Sequence, residues 1–303
     1  MREKELRRWL LSHGYADITI KHTIGYLKLI EKYGLDLDNI KDMEDILRFF
    51  AKMRERGKTT TTLNYYVRAI NRYLRFLGLD FKLQYYKQPK PDMIWIPTDE
   101  EVRRILAVKW ARYDINLRNR AMLHLFFATG IRLGELVALN WADFDEGKSI
   151  LTVKTEKRGG IRYVPVPPKV KKLLLEYKKV RILSDVNAMF TTPSGRISKP
   201  YTRKIVKEAG IKAGVPRFHA HAARHWRAVK WLEQGVSLES IRRLLGHATL
   251  KSTQIYWRAR PIQNVFEEVV RKDAFWWGGR GYKKSQFEEE KGGDKNEEKN
   301  EEE

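Results

Sequence analysis

Apolar residues recur at helical spacing through the first quarter of the chain. In "ITIKHTIGYLKLIEKYG", Ile20, Tyr26 and Leu27, then Ile30 and Tyr33, fall near one face, and the run stops at Gly34. "LRRWLLSHG" stops in the same way at Gly14, and "MEDILRFFAKMRERG" and "TTTTLNYYVRAINRYLRFLG" each end on a glycine. The pattern predicts four helices with short connections, a small basic helical module over residues 1–80.

The period is then lost. "LDFKLQYYKQPKPDMIWIP" carries three prolines (Pro89, Pro91 and Pro97), so residues 81–97 read as a linker. Thr98 and Glu101 make a capping box, the sign of a new helix and a second domain, residues 98–275. Helices are expected at about 99–110, at 117–130 and from Arg132. An antiparallel pair follows, "SILTVKT" with "IRYVPVP", joined by "EKRGG". Next come a helix over "PKVKKLLLEYKKV", an extended "NAMFTT" and a turn "PSGR". Further helices are expected near Pro200, His221, Ser237 and Leu250, and at Ile262. The fold class is therefore mainly α with a small antiparallel β-sheet, in two domains. Residues 276–303 read as a tail, aromatic and basic at first, then acidic, polar and disordered.

Charge sharpens this picture. Lysine and arginine number 60 against 38 acids, a formal net charge of +22 over 303 residues. The last 19 residues hold nine acids and three lysines, so the chain before them carries about +28. Such a field suits a polyanion, whose condensed counterions are released on binding. A lysine-rich thermophilic surface is the bland alternative. With no cysteine, disulfides, cysteine-ligated zinc, Fe–S clusters and cysteine nucleophiles are excluded. Neither a signal peptide nor an 18-residue apolar run is present, so a cytoplasmic protein with no membrane partner is expected.

Four stretches carry candidate chemistry. In "ATGIRLGELVALNWADF", Arg132 opens a helix after a glycine turn, and Glu135, three residues on, is placed to orient its guanidinium. A surface i,i+3 pair reads the same way. In "TVKTEKRGGIRYVPV", Lys157 and Arg158 sit near a hairpin tip; a solvated loop is the bland reading. In "HAHAARHWRAVKWLEQG", His221 and Arg224 face one way from a helix. His219 and His225 give the stretch the look of a metal cluster, but the surrounding arginines would repel a cation, and no metal is assigned. His225 also reads as a packed or capping residue. Finally, in "LLGHATLKSTQIYWR", His247 closes an amphipathic helix and Tyr256 follows nine residues later. An ordinary half-buried tyrosine is the plain alternative.

Together these pieces suit attack of a hydroxyl on a phosphodiester. Negative charge gathers on the non-bridging oxygens, and fixed cationic donors must carry it where no metal does. The arginine fork matches phosphate and stays charged. Histidines add donors or a base. A phenol of pKa about 10 is both nucleophile and leaving group, and a lysine on a mobile hairpin protonates the departing oxygen.

The order Arg132, Lys157, His221, Arg224, His247, Tyr256 resembles the tyrosine recombinase family of phage integrases and Xer-type recombinases. "ATGIRLGEL" is similar to the family's "ATGLRxxEL", "TEKRGGIRYVPV" to "GKGxKxRxVPL", "HAARH" to "HxLRH", and "LGHATLKSTQIYWR" to "LGHxxxxTTxxYxH". The hairpin lacks the usual glycine before its lysine, and Arg258 stands where histidine is common. The resemblance implies a core-binding, SAM-like first domain and a catalytic second domain that clamp duplex DNA in a C shape. It implies that Tyr256 makes a 3′-phosphotyrosine, that Arg132, Arg224, His221 and His247 hold the phosphate, that Lys157 is the general acid, and that Glu135 supports Arg132. No cofactor is implied. Four protomers would exchange strands through a Holliday junction at a specific site, with the helix of residues 261–275 docking into a neighbour; packing within its own chain is the alternative for that helix.

A type IB topoisomerase would use the same chemistry without synapsis, and an architectural DNA-binding protein would keep the clamp and lose catalysis. The intact set of six residues opposes the second. Within the recombinases, composition favours an integrase of a mobile element in a thermophilic archaeon over a resolver of chromosome dimers.

Overall fold

The computed structural model describes residues 1–40, 42–87, 94–155 and 160–250, together with 252, 253 and 256. The chain divides into two compact units, Met1–Asp92 and Met93–Glu303.

The first unit holds the four expected helices: α1 (Glu3–Ser12), α2 (Asp17–Lys32), α3 (Met43–Glu55) and α4 (Thr60–Phe76). Side-chain caps start two of them. The Asp42 carboxylate accepts from the Glu44 and Asp45 amides, and the Thr59 hydroxyl accepts from the Thr62 amide. Their apolar stripes meet in one core of Leu6, Leu10, Leu27, Ile46, Ile70 and Leu74, all fully buried. The buried stripe of α2 runs through Ile20, Ile24, Leu27 and Ile30, and Tyr26 sits at its edge. Residues 81–87 carry no helix or strand, yet they are held against α4. The Asn71 side chain accepts from the Leu83 amide at 2.8 Å and donates to its carbonyl at 2.9 Å; Asn64 does the same for Tyr86 at 2.8 and 2.9 Å. Each amide stands in for a strand partner, satisfying backbone that would otherwise be left unpaired.

The second unit opens with α5 (Asp99–Ala107), whose Thr98–Glu101 capping box is formed in both directions. Then comes α6 (Tyr113–Thr129), polar in its first half, where Arg118 and Asn119 are buried, and apolar from Ala121 on, with Met122, Leu125 and Phe126 fully buried. Burial on several faces over 121–127 marks this half as enclosed by protein. It packs between α8 (Pro168–Val180) and α10 (Ala220–Glu233). The start of α6 lies four residues ahead of the expected one. That first turn is polar, stabilised by the Arg112–Asp114 ion pair and by Asn116 accepting from the Trp110 amide, and so has no apolar period to read.

α7 (Leu133–Ala138) leads to a three-stranded antiparallel sheet of order β1 (Phe144–Asp145), β2 (Ile150–Lys154), β3 (Ile161–Pro165). β1 was not expected; two residues are too few to show alternation. The register pairs Leu151 with Val164 and Val153 with Arg162. β4 (Thr191–Thr192) and β5 (Gly195–Arg196) close the expected turn, followed by α9 (Lys199–Lys212) and α11 (Leu238–Leu245). Ser252, Thr253 and Tyr256 are helical. The helix expected at Ile262 and over 261–275, and the tail of 276–303, lie outside the described residues. No helix among the described residues is long and apolar enough to cross a membrane.

Candidate active site

The site is assembled around the C-terminus of α11. Helix α6 ends at Gly130 in the left-handed region, at φ 62°. A Cβ there would come within 2.7 Å of a Leu245 methyl, so the position needs glycine both for its backbone and for the close approach of α11. The turn delivers Arg132 to the N-terminus of α7. Glu135 accepts from the Arg132 backbone amide at 2.9 Å and from its Nη1 at 2.8 Å. Arg132 also reaches the carbonyls of Leu245 (3.5 Å) and Gly246 (3.3 Å).

Glu135 has a second and stronger partner. Arg162, from β3, grips both carboxylate oxygens at 2.9 and 2.7 Å and donates from Nε to the Leu244 carbonyl at 2.8 Å. Both side chains are buried. Burial alone would raise the Glu135 pKa, but the Arg162 fork, then Arg132, outweigh it and hold it down at about 2. Gly246, at φ 65°, lets the helix end lie against the Arg162 side chain, which a Cβ would meet at 3.2 Å.

Arg224 enters from α10, 1% exposed. It donates to the carbonyls of Gly130 (2.8 Å) and Leu245 (2.6 Å), bonding carbonyls rather than a carboxylate. Burial, with the like charges of Arg132 and Arg162, lowers its pKa to about 9, so it stays charged at neutral pH. Three arginines from three elements thus converge on the carbonyls of Leu244, Leu245 and Gly246. Those carbonyls are the negative end of a helix, which favours cations.

Tyr256 lies against this cradle, 1% exposed, in a small cluster with Ala228, Trp231, Leu232, Ile241 and Leu245. Its hydroxyl is 3.1 Å from His225 Nδ1. Its ring lies nearly parallel to that of His247, with centroids 6.0 Å apart. Burial raises the phenol's pKa, though Arg224 and Arg132 oppose this. His247 is held by Thr253 at 2.9 Å; burial, then Arg224 and Arg132, bring its pKa down to about 3. His225 is lowered to about 4 by burial, then by His221 and His219. His221 stands at the exposed rim of α10 and meets the His225 ring edge-on at 4.8 Å. Its pKa falls through partial burial and the nearby Arg224 and Arg132. Among the described residues no group of three His, Asp or Glu side chains is placed to hold a metal ion.

The structure therefore brings Arg132, Glu135, His221, Arg224, His247 and Tyr256 to one place. Lys157 lies outside the described residues; its flanks are joined where Thr155 donates to the Gly160 carbonyl at 2.8 Å from its amide and 2.9 Å from its hydroxyl. Tyr256 is fully rather than half buried, with its hydroxyl among His225, Arg224 and Arg132. The place of Arg162 in the cluster, and the partner of His225, were missed. Arg162 had a readable signal: it is in phase with the inward-facing Val164, while Ile161 and Tyr163 point outward, 58% and 66% exposed. His225 is buried, in line with the expectation of a packed or capping residue, but its pairing with Tyr256, 31 residues away, had no signal along the chain.

Comparison with known proteins agrees with this geometry. Residues 97–261 match the phage integrase family. Tyrosine recombinase XerA of Pyrococcus furiosus is 34% identical over 287 residues, covering 89% of this chain and 96% of that protein. Among solved structures, the Tn1549 transposon integrase in complex with circular intermediate DNA aligns with a TM-score of 0.69 at 17% identity, over 89% of this chain and 99% of that one. The crystal structure of XerA recombinase aligns at 0.52 with 22% identity, over 89% and 97%. The chain belongs to the phage integrase family. It is an enzyme, a tyrosine-type site-specific DNA recombinase.

Proposed function

We propose that this chain cuts and rejoins duplex DNA by making a 3′-phosphotyrosine bond through Tyr256. Arg132 and Arg224 bind the scissile phosphate, with His221 and His247 as additional donors and Glu135 as the support of Arg132. Lys157 protonates the 5′ oxygen as it leaves. The bond energy is kept in the protein–DNA link, so rejoining needs no nucleotide triphosphate. The observation that carries this reading is the packing of a tyrosine hydroxyl beside two guanidinium groups brought from α7 and α10. Preorganised donors of this kind stabilise developing negative charge without reorganising as it forms.

DNA as the partner is supported by the net charge of +22 and by the fold shared with an integrase solved on DNA. Strand exchange then proceeds between two duplexes, through a Holliday junction held by four copies of the chain. Composition favoured integration of a mobile element. The likeness to an Xer-named recombinase over 89% of the chain instead supports resolution of chromosome dimers.

The experiment is covalent capture. Nicked suicide duplexes from a randomised library are incubated with the protein, and denaturant-resistant adducts are collected and sequenced. Adducts are expected with the wild type and not with Tyr256→Phe; their persistence in the variant would remove Tyr256 as nucleophile. A plasmid dimer carrying two copies of the selected site then tests resolution directly.

A further inference from the structure

We propose that His225 accepts the phenolic proton of Tyr256 as the tyrosine attacks phosphorus. The proposal rests on Tyr256 being the nucleophile, and it assigns the proton that this nucleophile must lose.

The assignment follows from counting donors. A phenol has one proton to give. Arg224 lies against the phenolic oxygen and is a donor only. The hydroxyl proton must therefore point to the other polar neighbour, His225 Nδ1 at 3.1 Å. That nitrogen is then the bare one, and the ring carries its own proton on Nε2. The other two histidines of the cluster are otherwise engaged. His247 Nδ1 faces Thr253 at 2.9 Å, and the His221 ring packs on His225 instead of on the tyrosine. With His225 8% and Tyr256 1% exposed, water does not compete for the proton.

The groups facing the imidazole keep it in the accepting form. Burial first, then His221, His219 and Arg224, hold its pKa at about 4, so it is neutral at physiological pH. The phenol, its pKa raised by burial, keeps its proton until attack begins. As the O–P bond forms, the phenolic oxygen becomes a strong acid, and a weak base suffices. The Tyr256 O–H bond breaks and its electron pair stays on oxygen, which bonds phosphorus. The proton goes to His225 Nδ1. The P–O5′ bond breaks, and the 5′ oxygen takes a proton from the general acid assigned to Lys157. In rejoining, the 5′-hydroxyl attacks phosphorus and gives its proton back to the amine assigned to Lys157, the P–O bond to Tyr256 breaks, and the imidazolium returns its proton to the departing phenolate.

The test is single-turnover adduct formation by the full chain on a suicide duplex captured with the wild type. His225→Ala is expected to slow adduct formation about 100-fold, the usual scale for a general base. It should bind the same uncut duplex as tightly as the wild type, and added imidazole should recover at least a tenth of the lost rate. His225→Gln keeps an acceptor of similar size that cannot take a proton. It is expected to be as slow as the alanine variant, and it carries the test if the alanine variant does not fold. A glutamine variant near the wild-type rate, or a folded alanine variant unmoved by imidazole, overturns the assignment. Adducts in Tyr256→Phe would instead overturn the nucleophile itself.

Discussion

Glu135 shows what one side chain does here. It is a buried carboxylate shared by two arginines, and it fixes where Arg132 points. Because its pKa is about 2 when folded and near 4.5 otherwise, its stabilisation is complete above pH 4.5 and is lost as the pH falls towards 2. By linkage the contribution is about 3 kcal/mol. Urea denaturation across this range should show that loss for the wild type and not for Glu135→Gln. At neutral pH the variant should be less stable by about 3 kcal/mol, since removing one partner leaves buried cations unmatched. An equal acid sensitivity in the two proteins would show that Glu135 is not the group titrating. At this scale the sequence was a good guide where a residue's role depends on neighbours along the chain, as for Arg132 and Glu135. It was a poor guide to Arg162 and His225, whose partners are 27 and 31 residues distant.

Elements were legible wherever burial imposed a period. The four helices of the first unit and α8 lie where their apolar stripes placed them. The boundaries that moved include the polar first turn of α6 and the end of α5, at Ala107 rather than about 110, and the added strand β1 is too short to alternate. Tight packing between elements is harder to see in a sequence, and Gly130 is the case in point. Gly130→Ala should cost about 1–2 kcal/mol for the left-handed backbone and as much again for the contact with Leu245. Gly34→Ala is the control: its φ is 99° with nothing within 4 Å, so only the backbone cost applies. Equal losses of stability for the two variants in chemical denaturation would mean that α6 and α11 do not meet so closely.

For the whole molecule, charge is the dominant property. A chain that carries +22 overall and about +28 ahead of its acidic end should hold duplex DNA chiefly through phosphates. With six to ten phosphate contacts, affinity is expected to fall about 10³-fold or more between roughly 50 and 200 mM salt. Fluorescence anisotropy with Tyr256→Phe, which is expected to bind without cutting, measures this, and a flat salt response would count against a polyanionic partner. The same arrangement bears on control of the reaction. Arg132, Arg162 and Arg224 all hang on the last turn of one helix, and Tyr256, the proposed nucleophile, lies eleven residues beyond Leu245 in the sequence. Under the proposed mechanism, a tug on that turn would disturb the shared anchor of the arginines and the packing of Tyr256 on Leu245 together. On that reading, a subunit with its arginines set and its tyrosine displaced would be disfavoured, which would guard against stray nicks.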